Sequence, residues 1–200
     1  MCVAQNFGVS KASSNAVILV NDDHVFRMHW DTIALNTYDP MTIVSFLVVS
    51  PEKQWYKYMV SEDFGRTPDD FDNDAFQKFS CDVVFDKADK WFACFPIMMN
   101  RFRYLALGGF DMNCLNGVFA NNDLFIKAKI MGMEFKTQFD LLFYHFGSIA
   151  SKTDGWDNRI RNHKLAQSYV YEKWGHQLHN DNSHFMFSAD DNIEFKEFNK

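Results

Sequence analysis

No apolar run in this sequence approaches the roughly 20 residues that a helix needs to cross a bilayer. The longest, Ala16–Val20 and Thr42–Val49, are far shorter. The opening stretch, Met1 to Ser14, lacks the basic head and apolar core of a secretory signal. No Asn-x-Ser/Thr sequon occurs, and Cys2, Cys81, Cys94 and Cys114 are too widely spaced for a zinc-ligand pattern. These absences point to free thiols in a reducing compartment, and so to a cytoplasmic protein. A basic excess is missing too: 20 Lys and Arg stand against 26 Asp and Glu, a net charge of −6. That balance opposes a nucleic-acid partner, and with it a metal-dependent nuclease, because phosphate backbones are held by basic surfaces. It still leaves room for a small phosphate-bearing ligand, since a bound cation reverses the local sign. Internal repeats and low-complexity linkers are absent as well.

What the chain has in quantity is hydrophobic residues, 47% of the total, with 22 Phe among 200 residues. This is the composition of one globular domain with a sizeable core, much of it aromatic. Ala16–Val20 is a short β-branched run that reads as a strand buried on both faces, hence a parallel one. Thr42–Val49 reads the same way. Further strands are expected at Trp91–Met99, Glu134–Gln138 and Leu141–Phe146. Pro68–Phe79 spaces its Phe residues as an amphipathic helix does. Helices are also expected at Arg101–Leu107, stopped by Gly108-Gly109, at Asp123–Met131, stopped by Gly132, and at Asp157–Lys173. Strands and helices alternate, which predicts an α/β class. The domain is expected to span residues 1–175, with 176–200 a polar C-terminal tail.

Three segments carry candidate chemistry. Asn21-Asp22-Asp23-His24 follows the first apolar strand, and ligands of open α/β sheets sit at the carboxyl ends of strands. Two carboxylates there form either a hard-oxygen site for magnesium or manganese, or an acidic turn that only caps the next element. Tyr144-His145-Phe146-Gly147-Ser148 ends another apolar strand. His145 is either a core histidine or a metal ligand with small residues beside it that let a phosphate approach. Leu107-Gly108-Gly109-Phe110-Asp111 permits a sharp reversal. It leads to Ala120-Asn121-Asn122-Asp123, where Asp123 reads equally well as a helix cap.

The order of these pieces resembles glycosyltransferase family 2 of the GT-A fold: AVILVNDDH, then FPIMMNRFRYLALGGFD, then FANNDLFIKAKIMG, then FYHFGS. That family has an apolar strand ending in an Asp-x-Asp type motif. A strand, a short helix and Gly-Gly-Phe-Asp follow. An acidic segment then opens a helix ending in Gly, and a strand bearing a metal-binding His comes last. The later HFGSIASK and EKWG resemble a subset common in phage and other viral genomes, which would place the protein in the host cytoplasm. The resemblance covers residues 3 to 175.

The resemblance implies a Rossmann-like mixed sheet flanked by helices, and transfer of a sugar from a nucleotide-sugar donor to a glycan or other hydroxyl acceptor, with inversion. It implies a divalent cofactor, manganese or magnesium, held by Asp23 and His145. It places Asn21 and Asp22 against the donor's ribose and diphosphate, and Gly108 and Gly109 at the pocket floor. The family's Glu-Asp pair falls on Ala120 and Asn121, so the base position holds an amide, and Asp123 is the nearby carboxylate. The family also places several strands and a base-binding loop before the Asp-x-Asp strand. Here the chain is expected to begin mid-fold, lacking those N-terminal strands. It is then a fragment, a transferase completed by a separate chain that supplies the N-terminal half, or a degenerate relative that binds a metal or glycan without turnover.

Overall fold

The computed structural model describes residues 2–52, 59–83, 95–114, 117, 119–147 and 156–174. Ser148, residues 91–94 of the strand expected at Trp91–Met99, Cys94 among them, and the tail from 176 lie outside the described residues. The chain is α/β, with a mixed sheet flanked by helices. Its elements run α1 Cys2–Lys11, β1 Ala16–Leu19, β2 His24–Phe26, α2 Trp30–Leu35, β3 Thr42–Ser50, β4 Met59–Ser61, α3 Asn73–Asp82, β5 Ile97–Asn100, α4 Arg101–Ala106, α5 Ala120–Ile130, β6 Glu134–His145 and α6 Trp156–Trp174.

β3 is the centre. All nine of its residues are buried, as its continuous apolar run requires. β6 runs parallel along one side of it. The other side is shared: β5 pairs antiparallel with its first half and β4 parallel with its second. β1 lies outside β5 and β2 outside β6, so the order is β1-β5-β3-β6-β2 with β4 beside β3.

Alternate residues of β3 face opposite sides of the sheet. Ile43 joins a core made with α1, α4, α5 and α6, through Val9, Tyr104, Leu124 and Val170 among others. Leu47 and Val49 join Phe76, Tyr144 and Phe146, with Phe64, Phe71 and Phe79 packed around them. Val44 and Phe46 face the other way, against Met98, Phe143 and Ala34 of α2. The Phe-rich composition is thus spent on both faces of one sheet.

Several boundaries differ from expectation. β1 is an antiparallel edge strand, paired with β5 from Ala16↔Asn100 to Leu19↔Ile97. It carries apolar residues on both faces because α1 lies on one side and the α2 layer on the other, which the sequence cannot distinguish from a central parallel strand. The Pro68–Phe79 helix starts only at Asn73, where the Asp72 side chain accepts from Ala75 N–H as an N-cap, and it runs on to Asp82. The two strands expected at 134–138 and 141–146 are one strand. It keeps its pairing with β3 across a register shift between Phe46↔Gln138 and Leu47↔Leu142. The helix expected from Asp123 begins at Ala120, with Phe119 at its N-cap. Among the described residues no helix is long and apolar enough to cross a membrane.

Candidate functional site

Asp23 lies in the turn between β1 and β2, His24 opens β2, and His145 closes β6. β2 and β6 pair antiparallel with His24 opposite His145. Phe146 N–H donates to Asp23 C=O at 3.3 Å, which makes His24 and His145 a pair not itself hydrogen-bonded, the kind whose side chains approach most closely. Their rings stack, with centroids 4.8 Å apart. Asp23 sits over the pair: its Oδ2 is 3.0 Å from His145 Nε2 and its Oδ1 3.4 Å from His24 Nδ1. Two residues named from sequence, at distant points of the chain, thus meet on one sheet edge. His24 joins them, and nothing in its sequence context singled it out beyond its place beside Asp23.

Burial alone would raise the Asp23 carboxyl, but the His145 imidazole and then that of His24, both beside it, outweigh burial and hold it well below the ordinary carboxylate range. The carboxylate is therefore ionised near neutral pH. Burial pushes the His24 imidazole down, against the pull of Asp23. Asp23 Oδ1 and His24 Nδ1 are both buried and face only each other, at a 3.4 Å separation too long and poorly aligned for a well-formed hydrogen bond. Asn21 is half-buried and Asp22 exposed on the same turn.

The remaining candidates belong to a second cluster. Gly108 and Gly109 follow α4 with φ of 77° and 64°, conformations that favour glycine. A Cβ on Gly109 would stand 2.5 Å from Asn6 Oδ1. Asn6, from α1, explains the close approach: it accepts from Phe110 N–H and donates to Phe110 C=O, both at 2.9 Å, clamping the Gly-Gly turn. Lys127 donates to Gly109 C=O at 2.6 Å.

Asp123 is fully buried and does not cap α5. Its carboxylate is 2.9 Å from Lys127 Nζ and 2.7 Å from Lys173 Nζ, and it accepts from Trp174 Nε1 at 2.9 Å. Lys173 also meets Asp111 at 2.6 Å, and Tyr169 donates to the same Asp111 oxygen. Burial opposes the charge on Asp111, yet the bonds from Lys173, Tyr169 and Asn113 hold its carboxyl far below the ordinary range. Burial also lowers Lys173, but Asp111 and Asp123 more than reverse this and raise it. The network ties the end of α6 to α5 and to the Gly-Gly-Phe-Asp turn. Asn121 is half-buried at the start of α5, and its Oδ1, like that of Asn122, is buried with nothing donating to it.

Among the described residues no hydrogen bond or ion pair joins the Asp23 cluster to the Asp123 cluster. Nor do three His, Cys, Asp or Glu side chains among them converge as a preformed metal-ligand set. No protein-family profile matches the chain, and no curated protein matches it by sequence.

Proposed function

We propose that this chain is a GT-A glycosyltransferase-type protein that binds the diphosphate of a nucleotide sugar through a divalent cation at Asp23 and His145. The observation that carries the reading is the 3.0 Å approach of Asp23 Oδ2 to His145 Nε2. At that separation a carboxylate and a neutral imidazole can both be ligands of one hard divalent ion. Asp23 has an ionised carboxylate with a buried, unpartnered oxygen, a donor chemistry that suits manganese or magnesium. When bound, such an ion neutralises the diphosphate and stabilises it as a leaving group.

The chain's own residues do the rest. Asp23, in the turn before β2, and His145, at the end of β6, hold the site, and His24 keeps the His145 ring in place by stacking. Asn21 and Asp22, on the same turn, face the donor's ribose and diphosphate in this reading.

A second reading, binding without turnover, is favoured by Asp123. Its carboxylate faces two ammonium groups and an indole N–H, so it is poorly placed to take a proton from an acceptor. Asn121 has no basic group to offer. Inverting transfer needs a general base, and neither residue supplies one readily.

The test has two parts. Manganese should raise the melting temperature of the wild type by mass action, further with a nucleoside diphosphate, and Asp23→Ala and His145→Ala should each abolish the shift. No manganese-dependent shift in the wild type, or an undiminished one in both variants, would sink the cation site. Sugar-nucleotide turnover is then compared between wild type and Asn121→Asp. An inactive wild type with an active Asn121→Asp variant establishes the second reading, and an active wild type removes it.

A further inference from the structure

The two outer edges of the sheet are treated differently. On β2, the Gln77 side chain of α3 stands where a further strand would. Its Oε1 accepts from Met28 N–H at 2.6 Å and its Nε2 donates to Phe26 C=O at 3.1 Å, both groups that point away from β6. That edge is closed. On β1, Arg101 N–H donates to Asn15 C=O. This fixes the ladder so that Val17 and Leu19 bond toward β5, while Ala16, Ile18 and Val20 turn their backbone groups outward. The ends of this edge are held only by side chains: Ser14 Oγ accepts from Ala16 N–H, and Gln5 donates to Val20 C=O. Among the described residues nothing bonds the outward N–H and C=O of Ile18.

Beside this edge runs a groove of about 290 Å³, lined by Ala4 and Gly8 of α1, by Ala12 just past its end, and by Val17, Ile18 and Leu19 of β1. Ala4, Gly8 and Ala12 are spaced by four, and Ala12 N–H still donates to Gly8 C=O, so the three form one small-residue face that admits close approach of another helix or strand. A Cβ on Gly8 would meet nothing within 4 Å, so the space is open. Val3 and Phe7 of the same helix are exposed at 62% and 63%. From Ala12 to Val20 the sequence has no charged residue, so the edge lacks the lysines and acids that usually protect exposed strands.

We propose that the open edge of β1 and the adjoining face of α1 form a two-fold interface with a second copy of this chain. An antiparallel pair of identical strands is self-complementary. With Ile18 opposite Ile18 of the second copy on the axis, Ala16 falls opposite Val20, and all the outward-facing groups meet in register. Gln5 and Ser14 release the ends of the edge, and the small-residue faces of the two α1 helices, Ala4 and Gly8 with Ala12 just beyond, pack over the joined strands. The absence of charge along the edge matters in a chain of net charge −6, because it lets two like-charged copies meet without a local clash.

Light scattering after size exclusion, over a concentration series of the full chain, tests this. The wild type should pass from monomer to dimer mass with concentration. Ile18→Pro removes an outward N–H but no bond to β5, so it should fold and weaken the dimer by roughly tenfold or more. Gly8→Glu fits the open space and sets like charges against each other across the axis; it should give a monomer with an unchanged far-ultraviolet spectrum. Should Ile18→Pro not fold, Gly8→Glu alone decides. A wild type that stays monomeric at every concentration, or a Gly8→Glu dimer as tight as wild type, overturns the proposal. So does occupation of this edge by a different polypeptide in place of a second copy.

Discussion

Asp123 shows how much one carboxylate can constrain a fold. It is fully buried, and two lysines and a tryptophan from α5 and α6 converge on it. Removing one partner of a buried ion network leaves uncompensated charge, which costs about 3–5 kcal/mol. Asp123→Ala should therefore lower the urea midpoint markedly, and more than Asp63→Ala, whose ion pair with Arg66 is half exposed. An equal, small effect of both substitutions would show that the network contributes little. At this scale the sequence was informative where chemistry is local. Asp23 and His145 follow apolar runs, and that placement, with the order of the motifs, made them candidates that the fold brings within 3.0 Å of each other. The partners of Asp123 were not legible, because Lys173 and Trp174 face it only once α6 has docked, and helical spacing does not say which side of a polar helix turns inward. His24, named with its segment, was given no role because that role rests on its cross-strand register with His145.

Edges matter most among the elements. Gln77 closes β2 with two hydrogen bonds from a single side chain. Gln77→Leu keeps its bulk but leaves Met28 N–H and Phe26 C=O without those bonds, a loss of about 1–3 kcal/mol. Hydrogen exchange should show the Met28 amide losing protection while the β3 amides keep theirs; unchanged protection at Met28 would mean another group holds it. The α/β alternation, the central buried strand and most helices were legible from apolar runs and glycine stops. The pairing sense of β1 was not, since a strand sandwiched between helical layers looks alike at the edge and the centre of a sheet. The start of α3 was missed because the Phe spacing of residues 68–79 continues through the Asp72 cap, and the cap sets the boundary.

For the whole molecule, pH acts through the Asp111–Lys173 link between α6 and the Gly-Gly-Phe-Asp turn. The folded Asp111 carboxyl lies below its unfolded value of about 3.9. Its contribution is therefore present above pH about 4 and lost as pH falls through the folded value. Lys173 is raised above its unfolded value of about 10.4, so its contribution holds below that pH and is lost as pH rises through the folded value. Stability against urea should fall at both extremes, and Asp111→Asn should flatten the acid limb; an unaltered acid limb in that variant would assign the loss to other carboxylates. The same network also sets an order of events during synthesis. Asp123 belongs to α5, but Lys173 and Trp174 are made some fifty residues later. At roughly 5–20 residues per second the ribosome holds α5 without those two partners for seconds. The nascent chain must keep that carboxylate in water, and the core around α5 loose, until α6 clears the exit tunnel and closes over it.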